Sequence, residues 1–179
     1  MSAVNAAFDK LLEYERRALH AANVGESESD QGDWTGLAFR LGEMRLVCGL
    51  DRIHESLQVP QVTRVPGTKP FILGLANVRG DLLTVVDLGC FLHGNRTPAS
   101  MRARLLAASL RGRPVGLLVD EVFGQRNFNG SDAHAPELDE HSPLKGLVSK
   151  QHRSGSDSWQ ELDLDALFSS PVFLDGAAA

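Results

Sequence analysis

After residue 33 the chain never runs far without a turn signal, and this interruption most limits what it can fold into. Short apolar runs follow one another: LAFRL (37–41), RLVCGL (45–50), PFILGLAN (70–77), DLLTVVDL (81–88), ARLLAASL (103–110) and VGLLVDEV (115–122). Between them stand Gly42–Glu43, VPGTKP (65–70), NVRG (77–80) and RGRP (111–114). Turn signals at intervals of ~8–12 residues leave room for strands but not for the crossover helices of βαβ units. The expectation is a mainly β fold, barrel or sandwich. Gly42–Glu43 predicts one hairpin, with Leu46, Cys48 and Leu50 on one face of its second strand. RGRP predicts another, because glycine accepts the backbone angles of a tight turn. IHESLQV (53–59) reads as a third strand or an irregular turn, and FLHGNRTPAS (91–100) as a loop. Residues 125–146 are polar with two prolines and read as a loop with room for one short strand. Residues 146–168 read as strand, turn at 154–158, strand, then a short helix from about Asp163.

The first 33 residues have another texture. Val4, Phe8, Leu11, Leu12 and Leu19 recur at helical spacing between charged residues, which predicts an amphipathic helix over 3–23. GESESDQGD (25–33) is an acidic linker. The expected organisation is helix and linker over 1–33, one β domain over 34–170, and a flexible tail over 171–179.

With 179 residues, 42% of them hydrophobic and 23% charged, the chain suits one domain or two small sub-barrels sharing an interface. A net charge of −5 disfavours phosphate backbones and anionic lipid as partners of the whole protein. Arg96, Arg102, Arg104, Arg111 and Arg113 form a basic run, but no aromatic residues interleave as a stacking platform for bases would need. No nucleic-acid partner is expected. Cys48 and Cys90 lie far apart in apolar surroundings and read as buried free thiols of a reducing compartment. Neither a basic–apolar leader nor an 18-residue apolar stretch is present, so no membrane insertion and a cytoplasmic location are expected.

The inventory of chemistry is thin. His134 and His141 share a polar loop with Asp132, Glu137, Asp139 and Glu140, without metal-ligand spacing, so neither metal nor cofactor is expected. Asp87 and Asp120 each end an apolar run and read as strand-end caps; an enzyme would have to use one of them. Glycine-rich phosphate loops and nucleophile elbows are absent from the sequence. Such a set points to a binding module, with a small-ligand-binding β-barrel as the alternative. Residue chemistry alone leaves NVRG open between a plain surface turn and a contact point for another protein.

The ordered motifs carry a further reading. LAFRLGEMRLVCGLDRIHES, VTRVPGTKPFILGLANVRGDLLTVVDL, VGLLVDEV and the closing LKGL and ELDLDALF resemble the CheW family of chemotaxis coupling proteins, over about residues 36–168. The N-terminal helix and acidic linker are similar to the PilI-type adaptors of type IV pilus (twitching) systems. The resemblance implies two small five-stranded β-barrels side by side around a hydrophobic seam, and a non-catalytic adaptor. It implies two partners, a methyl-accepting chemoreceptor and a CheA-type histidine kinase, and a place at membrane-associated receptor arrays. Carried onto this chain, the family's key arginine is Arg79 and its acidic companion Glu55, in an Arg–carboxylate pair. Asn77 and Gly80 complete the turn, and Gly74 matches a second family glycine. Ile53, Leu57, Leu75, Val78 and Val115 would line an apolar groove for a receptor hairpin. The chain departs from the pattern at Thr84, where the family carries proline, at Ser56, and at Gly49, which could mark a bulge.

Overall fold

A computed structural model describes residues 33–176. The expected helix over 3–23 and most of the acidic linker lie outside the described residues. Eleven strands form two sheets. In chain order they are β1 (Trp34–Leu41), β2 (Met44–Gly49), β3 (Ile53–Gln58), β4 (Ile72–Val78), β5 (Asp81–Asp87), β6 (Arg104–Leu110), β7 (Arg113–Val119), β8 (Glu121–Phe128), β9 (Ala133–His134), β10 (Val148–Ser154) and β11 (Asp157–Leu162). Among the described residues, the short α-helix α1 (Leu88–His93) joins β5 to β6, and two more, α2 (Leu164–Ser169) and α3 (Pro171–Leu174), follow β11. One sheet has six strands in the order β8-β1-β2-β11-β10-β9; the other has five in the order β3-β6-β7-β5-β4. Both are mixed. β2 runs parallel to β11 and β5 parallel to β7, while the remaining pairs are antiparallel.

Alternating residues of the central strands enter different cores, because successive side chains of a strand point to opposite faces. On β6, Leu106 and Ala108 join the large cluster shared by both sheets, with Phe39, Leu46, Leu117 and Val119. Leu105 and Ala107 turn the other way, into a smaller cluster with Ala76, Leu83, Val85 and Leu118 inside the curl of the five-stranded sheet. On β1 and β2, Phe39 and Leu46 face the shared core, while Ala38 and Val47 pack with Phe128 and Trp159 inside the curl of the other sheet. Burial on both faces is why these strands read as apolar runs rather than clean alternation.

The shared core is the expected hydrophobic seam, but the two five-stranded barrels are not closed. Each sheet is open and curled, and β3 and β4, at the two edges of the five-stranded sheet, share no ladder. The connection over 59–71 explains why. Thr63 donates to Leu75 O and accepts from Leu75 N, both at 2.8 Å, so this segment occupies the outer edge of β4. Pro60, Pro66 and Pro70 in and beside it lack the N–H groups a ladder needs.

Three boundaries differ from the sequence reading. The strand expected over 115–122 breaks at Asp120, and residues 121–128 form β8, so the polar loop starts later than 125. Gln125, Arg126 and Asn127 are exposed because β8 is an edge strand. Within the remaining loop, β9 is the short strand that the sequence left room for. Residues 88–93, read as strand end and loop, are helix α1: Asp87 caps it by accepting from Cys90 N at 3.0 Å, and Gly94 ends it at φ 74°. Pro171–Leu174, inside the expected tail, is helical, with Phe173 buried in the shared core. The helix after Asp163 is as expected, with the Asp163 carboxylate accepting from Asp165 N and Ala166 N at 2.9 Å.

Candidate functional site

Val78 pairs with Asp81 across the β4–β5 hairpin, which leaves Arg79 and Gly80 as a two-residue turn. Both have positive φ, 54° at Arg79 and 96° at Gly80. That hand matches the twist of the flanking strands. Glycine takes it freely, whereas an L-residue in the left-handed region costs roughly 1–2 kcal/mol. The Asn77 side chain steadies the turn: its Oδ1 accepts from Gly80 N at 3.1 Å. The Arg79 side chain is 79% exposed, and its Nη2 meets Glu55 Oε2 at 2.8 Å.

Glu55 belongs to β3 and Arg79 follows β4, the opposite edges of one sheet. In a flat sheet four strand spacings would hold them ~19 Å apart. The ion pair therefore reports the curl: the edges meet at the seam that the ladder leaves open. An exposed pair of this kind contributes ~0–1 kcal/mol, so its effect is to set the relative position of two chain segments. Arg79, Glu55, Asn77 and Gly80 are thus brought together.

The apolar candidates divide. Ile53 pairs with Ala108, Ala108 with Val115, Val115 with Thr84, and Thr84 with Leu75. These residues form one lateral row across all five strands. Ala108 and Val115, at 1% and 3% exposure, are core, whereas Ile53, Thr84 and Leu75 are half-buried. Leu57 and Val78 lie on the other face, against the cluster inside the curl. The five do not line one groove, because strand alternation sends them to two faces. Val115 is a core residue and not a contact surface.

Thr84 sits where β5 is paired on both sides, a position where proline would remove a ladder donor. Gly49 pairs in register with Gly36 and marks no bulge. One exposed apolar side chain beside the turn escaped the sequence reading: Leu82, at 58% exposure. Asp81-Leu82-Leu83 holds two leucines in succession, so the local pattern does not tell which one faces out.

The carboxylates that an enzyme would need are committed to braces. Besides capping α1, Asp87 accepts from Thr97 N at 3.0 Å and Thr97 Oγ1 at 2.8 Å. Asp120 accepts from Gly42 N at 2.6 Å and meets Arg40 at 3.4 Å. Burial pushes the Cys48 thiol from 9.0 up to about 12, helped by the Asp51 carboxylate. Cys90 is raised by burial and then by Asp87, with Arg96 opposing. Neither is poised as a nucleophile. Among the described residues, no three His, Cys, Asp or Glu side chains gather as a metal site. Side chains fill the inside of both curls, and an open cleft of about 430 Å³ lies between the β1–β2 turn and the loop after α1. No helix among the described residues is long and apolar enough to cross a membrane.

Comparison with known proteins gives a consistent picture. Residues 35–172 match the family model described as CheW-like domain. The chain is 35% identical to protein PilI of Pseudomonas aeruginosa over 129 residues, 72% of each chain. It is 31% identical to protein FrzA of Myxococcus xanthus, covering 65% of this chain and 69% of that one. The crystal structure of the scaffolding protein TtCheW from Thermoanaerobacter tengcongensis matches with a TM-score of 0.64 at 21% identity, covering 72% of this chain and 87% of that one. That last likeness is one of fold.

Proposed function

Because this chain belongs to the CheW-like domain family, we propose that it is a non-catalytic signalling adaptor. It couples a chemoreceptor to a CheA-type histidine kinase in a chemotaxis or twitching system, in the cytoplasm, at membrane-associated receptor arrays. The likeness to PilI and FrzA supports the adaptor reading. The turn of Asn77–Gly80 is its contact point. One observation carries this: Arg79 is held in a strained left-handed conformation at the tip of a hairpin, braced by Glu55 and still 79% exposed. The hairpin needs this backbone, but glycine or asparagine would supply it with less strain, so an exposed arginine at this position suits a docking role. Leu75 and Leu82 supply apolar contact beside it.

The test separates docking from bracing. Arg79→Glu should lower capture of receptor or kinase in a pull-down while leaving the thermal melt unchanged. The swap Arg79→Glu with Glu55→Arg restores the ion pair in reverse. If the pair only shapes the turn, the swap regains binding; if Arg79 meets a carboxylate of a partner, it does not. Undiminished capture of both partners by folded Arg79→Glu protein would refute the assignment.

A further inference from the structure

Residues of the 59–71 connection, the start of β4 and the loop after α1 line a cleft of about 330 Å³. Three of the lining side chains are cationic, Arg64, Lys69 and Arg96, and none is a carboxylate. That balance runs against the chain as a whole, which has 23 acidic residues to 18 basic. Arg64 and Arg96 are exposed and have no ion-pair partner among the described residues. Lys69 Nζ meets Asp175 Oδ2 at 2.7 Å. The neighbouring cleft of about 430 Å³ shares Arg96 but not this balance: Glu43 and Asp120 line it, and Asp120 already pairs with Arg40.

The three cations stand on anchored backbone. Arg64 follows Thr63, which exchanges two hydrogen bonds with Leu75. Lys69 N donates to Gly176 O and Lys69 O accepts from Ile72 N, both at 2.9 Å. Arg96 precedes Thr97, whose N donates to Asp87 Oδ2 at 3.0 Å. Cations gathered around one cleft repel one another, and an anion between them turns that repulsion into attraction. Val65, Pro66 and Leu73 add apolar wall to the same cleft. Its volume is at the low end of ligand pockets, ~300–1,000 Å³, so the ligand is small. A phosphomonoester carries roughly 1.5–2 negative charges at neutral pH, spread over three oxygens. Guanidinium forks match such oxygens in pairs, and an ammonium adds a point charge. We propose that this cleft binds a compact phosphomonoester, with its phosphate on Arg64, Lys69 and Arg96 and its organic part against Val65, Pro66 and Leu73. The site is separate from the Asn77–Gly80 turn and goes beyond the adaptor reading, and its test uses no partner protein.

The probes are phenyl phosphate, inorganic phosphate and succinate, each titrated into the full chain by isothermal calorimetry. Phenyl phosphate should bind about tenfold more tightly than inorganic phosphate, because the ring gains apolar contact. It should also bind more tightly than succinate, whose charges sit at two ends. Binding should weaken as salt rises. Arg64→Gln and Arg96→Gln should each weaken it about tenfold or more, with unchanged thermal melts. Asp175→Asn, which frees Lys69, should tighten it. Arg113→Gln removes an equal charge from a residue that does not line the cleft, and affinity should stay that of wild type. Absence of phenyl phosphate binding in the millimolar range, or unchanged affinity in both cleft variants, would overturn the proposal. Equal weakening by Arg113→Gln would reduce the effect to overall charge and end it too. Inorganic phosphate or succinate binding as tightly as phenyl phosphate would refute the phosphomonoester assignment.

Discussion

Gly74 sets the edge of the candidate site, and replacing it should reveal how. Its φ is 140°, and a Cβ there would lie 2.0 Å from Thr63 O, 2.7 Å from Thr63 C and 2.9 Å from the Arg64 Cα. All three neighbours are backbone, so the 59–71 connection must move off β4. The two Thr63–Leu75 hydrogen bonds then break, a loss of about 1 kcal/mol each. The unfavourable backbone conformation adds ~1–3 kcal/mol. Gly74→Ala should therefore cost about 3–5 kcal/mol in urea unfolding. Gly80→Ala is the matched control: φ is 96°, but nothing lies within 4 Å of the added Cβ. It should bear only the backbone cost, roughly 1–2 kcal/mol, so the two variants should differ by about 2 kcal/mol. Hydrogen exchange at Leu75 N should quicken in Gly74→Ala and not in Gly80→Ala. Equal destabilisation by the two substitutions would show that the close approach of the connection to β4 contributes nothing, and the account of why the sheet stays open would fail with it.

Three further outcomes are expected. Asp87→Ala, which strands Cys90 N, Thr97 N and Thr97 Oγ1, should destabilise by about 2–4 kcal/mol. Asp87→Asn, which keeps an acceptor, should cost less; a harmless Asp87→Ala would remove its role as a brace. Native Cys48 should resist iodoacetamide at pH 8 and react only after unfolding, by mass spectrometry, because the thiolate is the nucleophile. The same thiol makes stability fall in base: raised from 9.0 to about 12 on folding, it favours the folded state below pH 9 and loses that contribution as pH climbs toward about 12. A Cys48→Ala protein whose alkaline unfolding curve overlays that of wild type would contradict this.

The division between what local sequence determined and what tertiary structure decided follows the range of the forces. Hairpin turns were legible because glycine and its neighbours set backbone angles over two residues: Gly42–Glu43, Arg79–Gly80, Arg111–Gly112 and the turn before Asp157 all stand where the sequence put them. The Asp163 cap was legible for the same reason, and the Arg79–Glu55 pair came from family resemblance, not from spacing. Helix α1 was not legible, since a six-residue, mostly apolar segment fits one to two helical turns or one strand equally well. The polar stretch Gln125–Asn127 gave no hint of β8, because an edge strand keeps polar residues on its open side. Whether Val115 faced a partner or the core depended on which strands covered it. The parallel pairings of β2 with β11 and β5 with β7 join residues far apart in the chain, with no turn chemistry between them to announce the partner. Those pairings, the curl that carries Arg79 to Glu55, and the prolines and Thr63 bridge that keep the seam open are settled only by the packing of both faces at once. Local propensity acts over a few residues, whereas burial acts over the whole chain.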